Sequence, residues 1–216
     1  MVSRPRTPLA LAVLSALLDR PRHPYEIASW LRATHKHESI KINFGSLYSV
    51  VDRLAADGLI AARDTERAGN RPERTVYEIT AAGRWELSQR LAELLAEPVR
   101  EYPSFEGALA LMLSIPPEEV AAHLRVRAAT LDRHLADGAA QHEVVVGAGL
   151  PGIFLIEWDL QLALVTAERD FVVRLADQIE RGELDGLAIW QRIADPDQPS
   201  PDPEEFDVSP TGKKEP

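Results

Sequence analysis

The residues best suited to chemistry lie between Asn43 and Ile60, in NFGSLYSVVDRLAADGLI. Ser46, Ser49, Asp52 and Arg53 recur at helical spacing with Tyr48 at their margin. One helix face would therefore carry short hydrogen-bonding groups, an aromatic hydroxyl and a guanidinium. Such a face approaches a polar surface closely and binds it without covalent chemistry. Behind it Leu47, Val50, Val51 and Leu54 fall at i, i+3, i+4 and i+7, the spacing of a buried stripe. Other chemistry is poorly supplied. The chain has no cysteine, which excludes thiolate nucleophiles, thiolate metal sites and disulfides. His35 and His37 flank Lys36, and His123, His134 and His142 are scattered along a later helical stretch. A metal centre needs converging ligands at set spacing, which these do not offer. Glu157, Asp159 and Glu168 could pose as paired acids, but no partner motif accompanies them. Gly147, Gly149 and Gly152 follow no strand and so make no phosphate cradle. A protein that binds rather than catalyses is expected, with no cofactor and no metal.

The elements that must position this helix read clearly on both sides of it. Pro8 to Leu18 is a first helix, with Thr7 as N-cap and Pro8 at the first helical position. Pro24 opens a second, PYEIASWLRATH, whose first turn carries Tyr25; its hydroxyl could reach a phosphate beside the helix N-terminus. Gly58 ends the third helix by tolerating the left-handed conformation. Two strands follow, Leu59–Thr65 and Arg74–Thr80, joined by ERAGNRPE with Arg67, Arg71 and Arg74 on or beside it. Guanidinium groups on such a tip suit the negative potential of a minor groove. Three helices and a two-stranded wing make a winged helix-turn-helix, whose third helix enters the DNA major groove.

Thr80 caps a further helix from Ala81 to about Glu97, with Leu87, Leu91, Leu94 and Leu95 along one side and Trp85 near its start. Pro98 and Pro103 mark a boundary. Beyond it the pattern is helical: Phe105–Leu113, then a long helix from Pro117 in which Val120, Leu124, Ala128, Leu131 and Leu135 repeat near 3.5-residue spacing. Ile153 to Arg181 runs without proline or glycine, about 40 Å at 1.5 Å per residue. Its first half is apolar nearly all round and needs cover from a second subunit. Leu187–Ile193 with Trp190 forms a last short helix, and the proline-rich acidic stretch from Pro196 reads as a disordered tail. The expected architecture is mainly α: a DNA-binding domain over 1–97, a helical dimerisation domain over 98–195 and a tail over 196–216.

Net charge is −10, which taken whole argues against nucleic acid. Its distribution argues the other way. Residues 1–95 hold 14 Lys and Arg against 11 Asp and Glu, and the remaining chain holds 10 against 23. Phosphate attraction is local, screened beyond about 10 Å, so the mildly basic front half is the part that matters. The apolar runs are short and no signal peptide is visible, so a cytoplasmic protein is expected.

Four stretches carry a resemblance: TPLALAVLSALL, RPRHPYEIASWL, FGSLYSVVDRLAADGLIAARDTE and NRPERTVYEITAAGR. In unbroken order over about residues 7–90 they resemble the PadR family of bacterial transcriptional regulators. The family commonly shows HGYE where this chain has His23-Pro24-Tyr25-Glu26, and a proline in place of Phe44. Proline in a first helical turn is tolerated; the change at Phe44 alters the entry into the recognition helix. The C-terminal half looks like the longer, virulence-regulator-like type. The resemblance implies a homodimeric repressor that binds an inverted repeat in a promoter and is released by a small, often aromatic, effector. It implies DNA contacts from Tyr25, Lys41, Asn43, Ser46, Tyr48, Ser49 and Arg53, and wing contacts from Arg67, Asn70, Arg71 and Arg74. Aromatics on the later helices, Trp85, Phe154 and Trp158, are the candidate effector contacts. The alternative is a winged helix that docks another protein without binding DNA, a role for which an arginine-tipped wing is not required.

Overall fold

The computed structural model describes residues 7–40, 44–66, 74–195 and 197. Of these, the side chains of His37, Glu38, Phe44, Arg74 and residues 64–66 are not described. Contacts divide the chain into two compact units between Arg100 and Glu101.

In the first unit α1 spans Pro8–Ala16, α2 Pro24–Ala33, α3 Lys36–Ser39, α4 Phe44–Ala56 and α5 Ala81–Ala96. Strands β1 (Ile60–Glu66) and β2 (Arg74–Ile79) pair antiparallel, with a bulge between Ala62 and Asp64. The arrangement is the expected winged helix. Thr7 caps α1, its hydroxyl accepting the Ala10 N–H at 3.3 Å. His23 caps α2 in a reciprocal box: its Nδ1 accepts the Tyr25 N–H at 3.1 Å, and its own N–H reaches the Glu26 carboxylate at 2.8 Å. Both caps satisfy helix-end donors that would otherwise lack partners.

Leu9 to Leu14, Ile27, Leu31, Leu47, Val51, Leu54, Ile60 and Leu87 merge into one core. The core seats α4 by its inner stripe, with Leu47, Val51 and Leu54 each about 1% exposed. Two devices fix the wing to it. Arg22 and Tyr77 exchange both backbone hydrogen bonds, at 2.9 and 3.0 Å, so the turn between α1 and α2 adds a third strand position. Thr80 joins the wing to α5, its hydroxyl donating to the Gly58 carbonyl at 2.8 Å and accepting the Gly83 N–H at 3.1 Å.

The second unit is helical throughout its described residues. Helix α6 (Ser104–Leu111) runs into a 3-10 turn at Met112–Ser114; α7 is Pro117–Gly147, α8 Ile156–Glu180 and α9 Leu187–Ala194. Val120, Leu124, Ala128 and Leu131 of α7 pack with Val172, Leu175, Ala176 and Ile179 of α8 around Trp190. Cross-helix ion pairs pin the register: Arg125 to Asp177 and Glu180, Arg127 to Glu168, Arg169 to Asp132. Hydrogen bonds from Arg125 hold both the Asp177 and Glu180 carboxyls below the usual carboxylate range. No helix among the described residues is long and apolar enough to cross a membrane.

The structure departs from the sequence expectations in two places. Lys36–Ser39, expected as loop, is a helical turn entered through His35 at φ 55°. The uninterrupted helix expected from Ile153 begins instead at Ile156, after a 3-10 turn at Gly152–Phe154. The last short helix forms as expected, and its Trp190 is 2% exposed, the indole N–H donating to the Ile115 carbonyl at 2.9 Å.

Candidate nucleic-acid interface

The outer face of α4 is built by exclusion. Burying Leu47, Val51 and Leu54 turns Tyr48, Ser49, Asp52 and Arg53 outward, because residues one and two positions away cannot share the inner stripe. Tyr48 is 52% exposed, Ser49 and Arg53 are exposed, and Ser46 is half-buried. The Ser49 hydroxyl donates to the Ser46 carbonyl at 2.7 Å, so in this rotamer it meets a partner as an acceptor. Tyr25, in the first turn of α2, is 66% exposed. Its hydroxyl and the N-terminal end of α2 offer donors to an anionic backbone.

Of the residues assigned to DNA from the sequence, the structure therefore describes Tyr25, Ser46, Tyr48, Ser49 and Arg53. Lys41, Asn43, Arg67, Asn70 and Arg71 lie outside the described residues, and of Arg74 only the backbone, which opens β2, is described. The base of the wing carries one further cation, Arg63, exposed and 3.8 Å from Glu78. It sits at the bulge, where the register shifts between Ala62 and Asp64. The sequence carries no signal for that bulge. The His23–Glu26 box was not among the sequence expectations: its i, i+3 spacing is that of a capping box, but histidine is a less usual cap than serine or threonine.

The three aromatics assigned to an effector divide between the units. Trp85 lies in the second turn of α5 and is 64% exposed. Phe154, in the 3-10 turn before α8, is 63% exposed. Trp158 is half-buried, edge-on to the His142 ring at 5.7 Å, while His142 Nε2 lies 3.1 Å from an Asp159 carboxylate oxygen. No cluster of histidine and carboxylate ligands able to hold a metal occurs among the described residues.

Comparison with known proteins points one way. The model of the transcriptional regulator PadR-like family matches residues 13–89. Bacillus subtilis PadR in complex with operator DNA is similar in fold, with TM-score 0.61 and 18% identity, covering 82% of this chain and 99% of that one. The same protein in complex with p-coumaric acid matches with TM-score 0.59 and 18% identity, over 80% of this chain and 97% of that one. The Vibrio cholerae virulence activator AphA matches with TM-score 0.54 and 18% identity, over 81% and 96%. At such identities these likenesses speak for the fold. No curated protein matches the chain. The family match falls on α1 through α5, the helices and wing that carry the α4 face: residues 13–89 of this chain are a domain of the PadR-like family of transcriptional regulators.

Proposed function

We propose that this chain is a homodimeric repressor that inserts α4 into successive major grooves of an inverted-repeat operator. The observation that carries the reading is the α4 face, where Tyr48, Ser49 and Arg53 are turned outward over a buried stripe. Arg53 would hold phosphate, while Ser46 and Ser49 have the reach for base edges. Lys41, Asn43 and the wing residues Arg67, Asn70, Arg71 and Arg74 extend the same surface in sequence. The solved complex of Bacillus subtilis PadR with operator DNA supports the choice of duplex DNA as partner. A cytoplasmic, non-catalytic protein follows from that reading.

The division of labour runs with the chain: residues 1–97 bind DNA, 98–195 dimerise and 196–216 form an acidic tail. A small aromatic effector acts at Trp85, Phe154 or Trp158 and releases the operator, as the p-coumaric acid complex of Bacillus subtilis PadR encourages. The test is in vitro selection from random duplexes at low salt, followed by titration of the selected site across salt. We expect a two-fold symmetric site whose binding constant falls steeply as salt rises. Recovery of no duplex at low salt, or binding indifferent to salt, overturns the reading and favours a winged helix that docks another protein.

A further inference from the structure

Arg22, in the turn between α1 and α2, is 3% exposed, and Glu86 is the one other buried charged residue among the described residues. Its guanidinium serves two helices. Nη1 donates to the Ala16 carbonyl in the last turn of α1, where acceptors lack helical partners and a cation is favoured. The fork also meets the Asp19 carboxylate, Nη2 to Oδ2 at 3.1 Å, and holds that carboxyl below the usual carboxylate range. The guanidinium carbon lies 5.5 Å from the centre of the Trp30 ring in α2, a cation–π contact. The backbone of the same residue serves the wing, exchanging hydrogen bonds with Tyr77 at 2.9 and 3.0 Å. Tyr77 pairs with Ala62 of β1, and the next pair is Val76 with Asp64, so Arg63 is the extra residue of the bulge. A bulge bends its strand and sharpens its twist. Arg22 therefore grips the hairpin at the pair from which its new direction starts.

A grip of this kind does little for stability. Replacing a buried ion pair by apolar side chains of similar volume is often neutral. The Asp19 side chain is 65% exposed, so losing the arginine returns its carboxylate to water and strands no charge. What the guanidinium supplies is a fixed place for the backbone that carries it. We propose that Arg22 is a positioning residue for the wing: held by α1, Asp19 and Trp30, it fixes Tyr77 and with it the direction in which the hairpin leaves the bulge. Its bearing on DNA rests on the operator reading above. The direction set at Tyr77 decides whether the cations of the wing, exposed Arg63 first among them, reach phosphates while α4 occupies the groove.

The experiment uses two variants of the full chain: Arg22→Met, which keeps the stem, and Arg22→Met with Asp19→Asn, which also restores the net charge. Amide hydrogen exchange comes first. In both variants the Tyr77 amide should exchange at least tenfold faster, while the amides of Leu14, Val51 and Leu54 keep their protection. Unchanged exchange at Tyr77 overturns the anchor. An equal loss at all four amides makes Arg22 a general support of the core and overturns the positioning role. Exchange needs no DNA, so it judges the anchor even if the operator reading fails. With a selected duplex, both variants should bind at least fivefold more weakly, and the slope of log K against log salt should fall by about one or more as phosphate contacts are lost. A buried arginine meets no phosphate, so that fall has to come from the wing. An unchanged slope in Arg22→Met overturns the coupling, and a slope restored by Asp19→Asn assigns the effect to net charge and overturns it as well.

Discussion

Two residues on either side of the wing show how strictly single atoms position the interface. A Cβ added at Gly83 would lie 2.1 Å from the Leu59 carbonyl oxygen and 2.9 Å from Ile79 Cγ1. The first of these is backbone and cannot rotate away, so α5 lies against the α4–β1 turn only because position 83 has no side chain. Gly83→Ala should cost about 1–3 kcal/mol through overpacking. Urea denaturation measures it; an unchanged midpoint would mean that α5 shifts freely. Arg53 is the opposite kind of residue, exposed and with no part in the core. Arg53→Ala should leave the denaturation midpoint in place while weakening duplex binding across sequences. Removing one cation from the phosphate backbone lowers the slope of log K against log salt by about one. A normal slope with relaxed sequence preference would instead make Arg53 a base-reading residue.

At the scale of elements the second unit is held by two different forces. Helix α9 is only eight residues long and contributes one buried side chain, Trp190, to the core between α7 and α8. Trp190→Ala should cost about 3–5 kcal/mol, and Trp190→Phe less, chiefly through the missing hydrogen bond to the Ile115 carbonyl. Denaturation followed by far-ultraviolet circular dichroism separates the two. The other force is ionic. Arg125 bonds Asp177 and Glu180 and depresses both carboxyls in the folded chain. Their contribution is complete above the ordinary carboxylate range and is lost as pH falls below about 4 through the depressed values. Urea midpoints measured from pH 7 downward should therefore drop, and Arg125→Met should flatten that drop. Element boundaries were legible where a local residue decides them: Thr7 before Pro8, Thr80 before Ala81, and Gly58 and Gly182, both at φ 70°. Lys36–Ser39 was not, because four residues are too few to show a period. The start of α8 was misplaced for a related reason: a stretch apolar on every side has no phase to mark where winding begins. The α4 face could be read from spacing alone, whereas the bulge between Ala62 and Asp64 depends on how two strands pair and leaves no trace in either of them.

For the whole molecule, the proposed dimer rests on the exposed apolar surface of the second unit. Ile156, Leu160 and Leu164 lie four residues apart along α8 and are 62%, 60% and 61% exposed, with Ile153 and Phe154 exposed just before them. Burying a leucine or isoleucine fully is favourable by about 1.5–3 kcal/mol. Two copies of this stripe brought together would bury the exposed part of several such side chains at once, the gain the proposed dimer sets against the entropy lost in association. A single winged helix offers one recognition helix and one wing, too few contacts for tight binding at physiological salt. The proposed pairing would place two on one face of the duplex, about 34 Å apart for half-sites one turn removed. Leu160→Glu puts a carboxylate in the middle of the stripe without touching either core. Sedimentation should then show monomer where the parent sediments as dimer. The monomer should keep its helical content and bind a half-site as weakly as it binds the full inverted repeat. If the parent itself sediments as a folded monomer, α8 has another partner and the two-fold operator is lost with the dimer. A Leu160→Glu variant that remains dimeric moves the interface off this stripe and onto another surface of the chain.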